Sequence, residues 1–167
     1  MARMDQERFS RIVTEHSGAV ANYLRRRLYP LSVSDLDDLV EETMIVVWRR
    51  LNDVPPDAEL AWTLGVARNV LRNARRARAR RSAMEGHVRT PGYNASAEDH
   101  VLADAGVREA LAALDDDERD IVLLNAWDGL DTHALAAYYA ISTNAAAVRL
   151  SRAQRRFRDL LATADVG

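Results

Sequence analysis

Residues 131–161 read DTHALAAYYAISTNAAAVRLSRAQRRFRDLL and predict two helices joined by a short turn. Asp131 can cap the first helix, a tight turn follows at residues 140–141, and Ser142 or Thr143 can cap the second. The apolar residues of the second helix recur at intervals of three and four and define its inner face: Ala146, Leu150, Ala153, Phe157 and Leu160. The pattern predicts a helix-turn-helix, with a plain helical hairpin as the alternative.

The second helix of this pair also carries an arginine stripe on its outer side, at Arg149, Arg152 and Arg156. Arginine can donate two hydrogen bonds to one guanine. We therefore expect Arg149 and Arg152 to reach base edges and Arg156 to contact the phosphate backbone. Three further candidates for DNA contact lie in the same helix, two at its N-terminus, where phosphates are favoured, and one that can meet a thymine methyl or simply pack: Thr143, Asn144 and Val148.

A second basic segment lies upstream, where residues 68–81 hold seven arginines and no acid. Its apolar residues share one face of a helix: Ala67, Val70, Leu71 and Ala74. Its polar residues fall on the opposite side: Arg68, Asn69, Arg72, Asn73, Arg75 and Arg76. A packed helix with one arginine-rich wall suits a polyanion, of which nucleic acid is the leading candidate. A solvated charged face is the alternative.

Residues 35–51, DLDDLVEETMIVVWRRL, predict an acidic helix capped by Ser34. Its core face is Leu36, Leu39, Val40, Thr43, Val47 and Leu51. The residues left on the outside are Asp38, Glu41, Glu42, Ile45 and Arg49. The outer face is therefore mainly anionic around one aliphatic side chain.

The rest of the sequence also shows helical patterns, so we predict an all-α chain of two small helical domains. A first helix over residues 5–28 ends at Tyr29-Pro30, because the residue before proline disfavours helical geometry. Residues 82–95 lose periodicity and predict a linker, so the domains are residues 1–81 and 96–167. In the second domain, Ser96 and Asp115 can cap two helices, the second carrying Trp127 on its apolar face and ending at Gly129.

Composition excludes several classes of protein. The 167 residues carry a net charge of −2 and no cysteine, which removes disulfides and thiol catalysis. Four scattered histidines give no metal-ligand spacing, and we find no catalytic constellation or cofactor motif. No apolar run approaches the roughly 18 residues of a membrane span, and the N-terminus lacks a signal core. We expect a cytoplasmic protein with no membrane insertion and no small-molecule substrate.

Taken in order, three segments resemble the extracytoplasmic-function sigma factors of bacterial RNA polymerase. Residues 35–51 resemble the acidic helix of conserved region two, and residues 61–81, AWTLGVARNVLRNARRARARR, resemble its tryptophan, Ala-Arg-Asn and arginine tail. Residues 111–161 resemble region four, including an Arg-Leu-x-Arg-Ala signature at Arg149–Ala153. The sequence departs from the family in having Ala140 where glycine is common, and alanines in place of polar residues after Asn144.

The resemblance implies a non-catalytic initiation subunit that directs core RNA polymerase to promoter DNA. In the family, the region-two helix docks on the beta-prime coiled coil, which assigns polymerase binding to Asp38, Glu41, Glu42, Ile45 and Arg49. The family also contacts the beta flap, and an anti-sigma factor commonly holds its members inactive. The linker would thread toward the active-site cleft, although a disordered tether explains residues 82–95 equally well.

The same resemblance assigns the arginine helix to the downstream promoter element and to strand opening. The loop Asn52–Ala58 lies where the family captures an extruded base, with Asn52 and Asp57 as candidates. Trp62 is a core residue or a stacking wedge for an unpaired base.

Other functions remain open from sequence alone. A stand-alone helix-turn-helix regulator explains residues 115–161 but not the first eighty residues. An enzyme would need a polar constellation in a cleft, and an anti-sigma-like adaptor would use only the acidic surface.

Overall fold

A computed structural model describes residues 1–86, 104–164 and 166 of the chain. The described residues form seven α-helices and two short 3-10 turns, and no β-strand occurs among them. The predicted all-helical fold class is confirmed. The helices are α1 (Ala2–Arg26), α2 (Leu36–Arg49), α3 (Glu59–Met84), α4 (Ala105–Ala113), α5 (Asp116–Ala126), α6 (Thr132–Tyr139) and α7 (Thr143–Ala164). The chain divides into two compact units, Met1–Asn94 and Ala95–Gly167, called unit 1 and unit 2 below.

Unit 1 is built from α1, α2 and α3, each of which packs against the other two. A buried cluster of Ile12, Val47, Leu51 and Val54 lies between them, with Phe9 and Trp62 packed against it. The predicted core face of α2 is buried except for the partly buried Val40. Amphipathic spacing therefore explains why these three helices associate, because each stripe removes its apolar side chains from water.

The junction between α1 and α2 corrects one predicted cap. Ser34 does not begin the second helix; a 3-10 turn over Val33–Asp35 comes first, and Asp35 is the N-cap of α2. The backbone N–H and hydroxyl of Ser32 donate to the Asp35 carboxylate at 2.9 and 3.0 Å. These hydrogen bonds are the main reason that the pKa of Asp35 lies below its ordinary value. The reciprocal Ser32–Asp35 contact closes a turn before α2, which helical periodicity alone does not reveal.

A buried carboxylate ties the start of α3 to α1. Glu59, the first residue of α3, is only 8% exposed and accepts hydrogen bonds from Arg11 at 2.9 and 3.0 Å. Arg8 donates to the same carboxylate at 3.2 Å and to the carbonyl oxygens of Leu51 and Val54 at 3.2 and 2.8 Å. The contacts to Arg11 and then Arg8 lower the pKa of Glu59, against the opposing effect of burial. Two arginines of α1 thus hold both the α3 N-terminus and the turn before it.

Unit 2 packs α7 against α4, α5 and α6. Ala146 and Ala153 of α7 are buried, as is Ala136 of α6, and their small side chains let the helices approach closely. Arg119 of α5 is buried too, and it donates to the carbonyl oxygens of Leu111, Ala112 and Leu114, at 2.7–3.3 Å, around the end of α4. This arginine satisfies carbonyl groups that the helix end would otherwise leave without partners.

Within the described part of unit 2, both predicted aspartate caps agree with the structure, whereas α5 ends at Ala126, before the predicted Gly129, and one aromatic residue is misplaced. Asp115 and Asp131 cap α5 and α6 through their side chains, and Gly129 has a φ of +68°. Trp127, expected on the apolar face, is 41% exposed because it lies just beyond the last helical residue of α5. The prediction assumed that the helix continued through Trp127, and helical periodicity does not apply beyond Ala126.

The turn between α6 and α7 has the predicted place and length. Ala140 adopts the left-handed conformation with a φ of 53°, and the Ser142 hydroxyl accepts from the backbone N–H of Ala145 at 3.1 Å. The structure thus selects Ser142 over Thr143 as the cap of α7.

The predicted linker is described only at its beginning. α3 continues to Met84, three residues beyond the expected end of the first domain. Residues 87–95, and the helix start expected at Ser96, lie outside the described residues. The first described helix of unit 2 is α4, capped by Asp104, whose carboxylate accepts from the backbone N–H of Gly106 at 2.8 Å.

Candidate functional site

The outer face of α2 is the first candidate surface. All five of its predicted polymerase-binding residues are exposed and follow one another at helical spacing: Asp38, Glu41, Glu42, Ile45 and Arg49. Ile45 is 42% exposed, so an aliphatic group lies at the middle of a charged surface. Trp48 was not among the predicted contact residues, yet it is 46% exposed and stands edge-on to Phe9 at 5.1 Å between ring centroids. Trp48 lies three residues after Ile45, and this spacing alone predicts that the two side chains are neighbours on the helix surface.

The second candidate surface is the polar side of α3. Asn69, Arg72, Asn73 and Arg76 are exposed, and Arg68 is partly exposed. The apolar residues of the same helix are buried against α1 and α2, including Ala67, Val70 and Leu71. The structure therefore places these five predicted nucleic-acid contacts on the solvent side of a single helix.

Arg75 departs from its predicted role as a phosphate contact. Its guanidinium group donates to the carbonyl oxygen of Tyr29 at 3.2 Å and to that of Arg27. Arg75 lies one turn after the buried Leu71, at the edge of the packed face, so its side chain reaches the end of α1. The group is thus engaged in holding unit 1 together.

The loop before α3 is tied to α1 by hydrogen bonds from Arg8 to the carbonyl oxygens of Leu51 and Val54. Asn52 and Asp57 are exposed, whereas Val54 between them is buried and its carbonyl accepts from Arg8. Trp62 is partly buried against the core cluster of unit 1, which favours the core interpretation of this residue. The Arg50 guanidinium lies 5.2 Å from the centre of the Trp62 ring, a cation–π geometry.

The third candidate surface is the outer side of α7. All six of its predicted DNA contacts are exposed: Thr143, Asn144, Val148, Arg149, Arg152 and Arg156. Two of the three arginines have defined neighbours. The Arg149 guanidinium lies 5.0 Å from the centre of the Tyr139 ring, and Arg156 Nε lies 3.2 Å from Glu118 Oε2.

Acidic side chains border this third surface. Asp115, Asp117 and Glu118 line a shallow cleft together with Arg149 and Arg152. Asp115, predicted only as the cap of α5, forms a capping box with Glu118, in which each carboxylate accepts from the backbone N–H group of the other residue. The α5 cap therefore also shapes the electrostatic potential beside the arginine stripe.

Neither a metal-binding cluster nor a membrane-spanning helix occurs among the described residues. Within residues 1–86, 104–164 and 166, no group of three or more His, Cys, Asp or Glu side chains is arranged to hold a metal ion. None of the helices in the same ranges is long and apolar enough to cross a membrane.

Known proteins resemble this chain in sequence. The family model for sigma-70 region 2 matches residues 12–81, which include α2 and most of α1 and α3. The RNA polymerase sigma factor NccH of Alcaligenes xylosoxydans xylosoxydans is 31% identical over 179 residues, covering 99% of this chain and 92% of the relative. The RNA polymerase sigma factor CnrH of Cupriavidus metallidurans is 27% identical, covering 94% of this chain and 88% of the relative.

Solved structures agree with these sequence matches. The structure of CnrH in complex with the cytosolic domain of CnrY superposes with a TM-score of 0.55 at 25% identity, covering 95% of this chain and 90% of that one. The sigma factor RpoE, in a co-crystal structure with the anti-sigma factor NepR from Bartonella quintana, shares the fold with a TM-score of 0.61 at 21% identity, covering 93% and 97% of the two chains.

Relatives that span both units favour a sigma factor over a stand-alone regulator, because the regulator hypothesis left the first eighty residues unexplained. The chain belongs to the RNA polymerase sigma factors, of the extracytoplasmic-function type.

Proposed function

We propose that this sigma factor binds core polymerase through α2 and promoter DNA through α3 and α7, and that it supplies no catalytic residue. The observation that carries the proposal is the exposure of three separate faces whose charges match these partners. RNA synthesis would then belong entirely to the polymerase, acting in the cytoplasm with this chain as a targeting subunit.

The α2 surface suits a basic coiled coil such as the beta-prime element that the family uses. Asp38, Glu41 and Glu42 would steer the approach of a cationic partner, and their attraction acts before contact is made. Ile45 and Trp48 would then lose water against the partner, adding affinity at the centre of the charged surface. The beta flap would contact unit 2, consistent with the family pattern.

The α3 surface suits the strand that is displaced when a promoter opens. Arg72 and Arg76 would bind phosphates without regard to sequence, while Asn69 and Asn73 can both donate to and accept from base edges. The neighbouring loop would hold one extruded base through Asn52 and Asp57, because a base must leave the stack to expose its pairing edge. Arg68 would assist at the margin of this surface.

The α7 surface suits the major groove of the upstream promoter element. Arg149 and Arg152 would read bases, Arg156 would contact phosphate, and Val148 would meet a thymine methyl. Thr143 and Asn144 lie at the N-terminus of α7, where backbone N–H groups favour a phosphate. A linker within residues 82–95 would let the two units bind separate promoter elements.

An anti-sigma partner fits the same scheme. Two structurally similar sigma factors were solved as complexes, CnrH with the cytosolic domain of CnrY and RpoE with the anti-sigma factor NepR. We propose that a protein of this kind covers the polymerase-binding surface of this chain and releases it upon a signal.

The test is run-off transcription by purified core polymerase on genomic DNA fragments, with and without this chain. We expect specific transcripts only when both proteins are present. A gel shift with duplex promoter DNA provides the second arm: tight specific binding without core polymerase, and no transcript with it, would favour a stand-alone regulator instead.

A further inference from the structure

A chain of contacts in unit 2 leads from α5 through α6 to an arginine of α7. One carboxylate oxygen of Asp120 accepts hydrogen bonds from the hydroxyl groups of Tyr138 and Tyr139, at 3.0 and 3.2 Å. The two rings meet edge to face, with their centroids 4.6 Å apart and their planes at 87°. The guanidinium group of Arg149 lies 5.0 Å from the centre of the Tyr139 ring.

This arrangement restrains the Tyr139 ring from two directions. Tyr138 is buried and supplies a fixed aromatic edge, while the carboxylate of Asp120 fixes the hydroxyl end. Tyr139 itself is only partly buried, so it forms part of the surface of the α6–α7 pair. The ring therefore presents a defined face beside the exposed arginine.

An arginine that must read a base benefits from such a face. A free arginine side chain has several rotatable bonds, and the freedom of those bonds is lost when the guanidinium group binds. Stacking on an aromatic face limits that freedom beforehand and leaves the edge of the guanidinium plane available to donate. The effect adds to selectivity only if the held orientation matches the one used on DNA.

We propose that Tyr139, held by Asp120, is a positioning residue that orients Arg149 for base recognition and so sets part of the promoter selectivity of α7. The inference depends on the proposed function of α7 and deepens it. In a helix-turn-helix, the first helix chiefly supports the reading helix. Here α6 would also influence which base is preferred, by acting through Arg149.

The experiment measures transcription by the full chain with core polymerase on promoters in which each upstream base pair is replaced in turn. Arg149→Ala first identifies the base pair that depends on Arg149. We expect Tyr139→Leu to reduce the preference at that same base pair by about two- to fivefold, because an exposed cation–π contact is lost. Tyr139→Phe keeps the ring but loses the hydrogen bond to Asp120, so it should lower the preference only as far as Asp120→Ala does.

Two further variants separate positioning from folding. Tyr138→Phe removes a hydroxyl bonded to the same carboxylate but leaves the ring beneath Arg149, so selectivity should not change. Asp120→Ala releases the hydroxyl groups of both Tyr138 and Tyr139 without substituting a residue of α6, and it should lower the preference at the same base pair by less than Tyr139→Leu does. This variant keeps the inference testable if Tyr139→Leu fails to fold.

The outcomes are distinguishable. If Arg149→Ala changes no base preference, the proposed role of α7 is wrong. If Arg149→Ala removes a preference that Tyr139→Leu and Asp120→Ala both leave intact, the positioning role is overturned and the role of α7 stands. A uniform loss of transcription from every promoter, with unchanged ratios between them, would assign Tyr139 to folding alone.

Discussion

The arginine faces of α3 and α7 differ in what surrounds their guanidinium groups. On α3, the exposed Arg72 and Arg76 alternate with the exposed amides of Asn69 and Asn73. On α7, by contrast, the guanidinium group of Arg149 lies over the ring of Tyr139, and Arg156 is paired with Glu118.

Under the proposed function, similar arginine content would serve two kinds of nucleic-acid contact. Long exposed side chains that remain adaptable suit the irregular backbone of an opened strand, where charge counts more than orientation. A side chain positioned by an aromatic ring, as Arg149 is by Tyr139, suits the fixed base edges of a duplex, where orientation decides affinity. The neighbours of each arginine, more than the number of arginines, distinguish the two surfaces.

A second contrast separates surface arginines from structural ones. All 23 basic residues of the chain are arginine, yet several of them serve the fold. In unit 1, Arg8 and Arg11 bind the buried Glu59, and Arg75 binds carbonyl oxygens at the end of α1. In unit 2, the buried Arg119 binds carbonyl oxygens at the end of α4. Both units use the several donors of one guanidinium group to satisfy backbone acceptors.

We expect the largest effect from reversing the charge of acidic residues on the outer face of α2, the proposed polymerase-binding surface. Glu41→Arg with Glu42→Arg should weaken core polymerase binding by at least about 100-fold, because reversed charges repel a basic partner at close range. Pull-down and titration with purified core enzyme measure the change. Glu7→Arg with Glu109→Arg, which reverses one exposed acid in each unit, is the matched control and should bind normally. Unchanged binding of the first variant would remove polymerase binding from α2.

The next effect concerns the buried ion cluster of unit 1. Glu59→Gln should destabilise this unit by about 2–3 kcal/mol, less than a fully buried pair would cost, because both arginine partners are partly exposed. Glu15→Gln, which removes an exposed carboxylate paired with Arg11, should change stability by less than about 0.5 kcal/mol. Denaturant unfolding followed by helical circular dichroism measures both, and equal effects would contradict a special role for burial.

The same carboxylate gives a pH dependence of known sign. Because folding lowers the pKa of Glu59 below its ordinary value of 4.5, its contribution is fully present above that pH. The contribution is lost as the pH falls from 4.5 through the folded pKa. Wild type should therefore lose stability in this window relative to Glu59→Gln, so that the two free energies of unfolding converge in acid. A constant difference between pH 7 and pH 3 would contradict the pairing.

A smaller change is expected when the exposed Arg72 and Arg76 of α3 are replaced. Arg72→Ala with Arg76→Ala should reduce promoter opening about tenfold while core binding stays within about twofold, because two phosphate contacts are lost. The slope of opening against the logarithm of salt concentration should fall by about 1.4 on a single strand. Arg3→Ala with Arg25→Ala removes two exposed arginines from α1 and is the control. A salt slope identical to that of wild type would count against this surface.

The smallest expected change concerns the pairing of Arg156 on α7 with Glu118. Glu118→Gln keeps the capping box of α5 but removes the charge paired with Arg156, so upstream DNA should bind about two- to threefold more tightly. Glu109→Gln on α4 makes the same charge change at an exposed site and should have less effect. If the gain persists in a Glu118→Gln, Arg156→Ala double variant, it does not arise from Arg156.

Predictions that depended on neighbouring residues in the chain agreed well with the structure. The caps Asp115 and Asp131, the left-handed Gly129 and the outer face of α2 were all expected, because each follows from local hydrogen bonding or helical period. The cap predicted at Ser34 was wrong, since a local contact between Ser32 and Asp35 competes successfully for the same turn.

Roles that depend on distant partners were beyond the sequence. Arg75 belongs by periodicity to the polar side of α3, and only packing brings the end of α1 within its reach. The sequence does not mark Glu59 as the ionic centre of unit 1, because its arginine partners lie 48 and 51 residues away in the chain. The Tyr139–Arg149 contact likewise requires that α6 and α7 cross.

Periodicity and capping act over one or two turns, so most of the helices, their apolar faces and the three charged surfaces could be predicted from the sequence. Packing between helices determines which arginines face solvent and which bind carbonyl oxygens or buried acids. The physical reason is the reach of the side chain: a guanidinium group at the edge of a helix face can turn either way. It turns toward whichever acceptors the packing of the other helices places beside it.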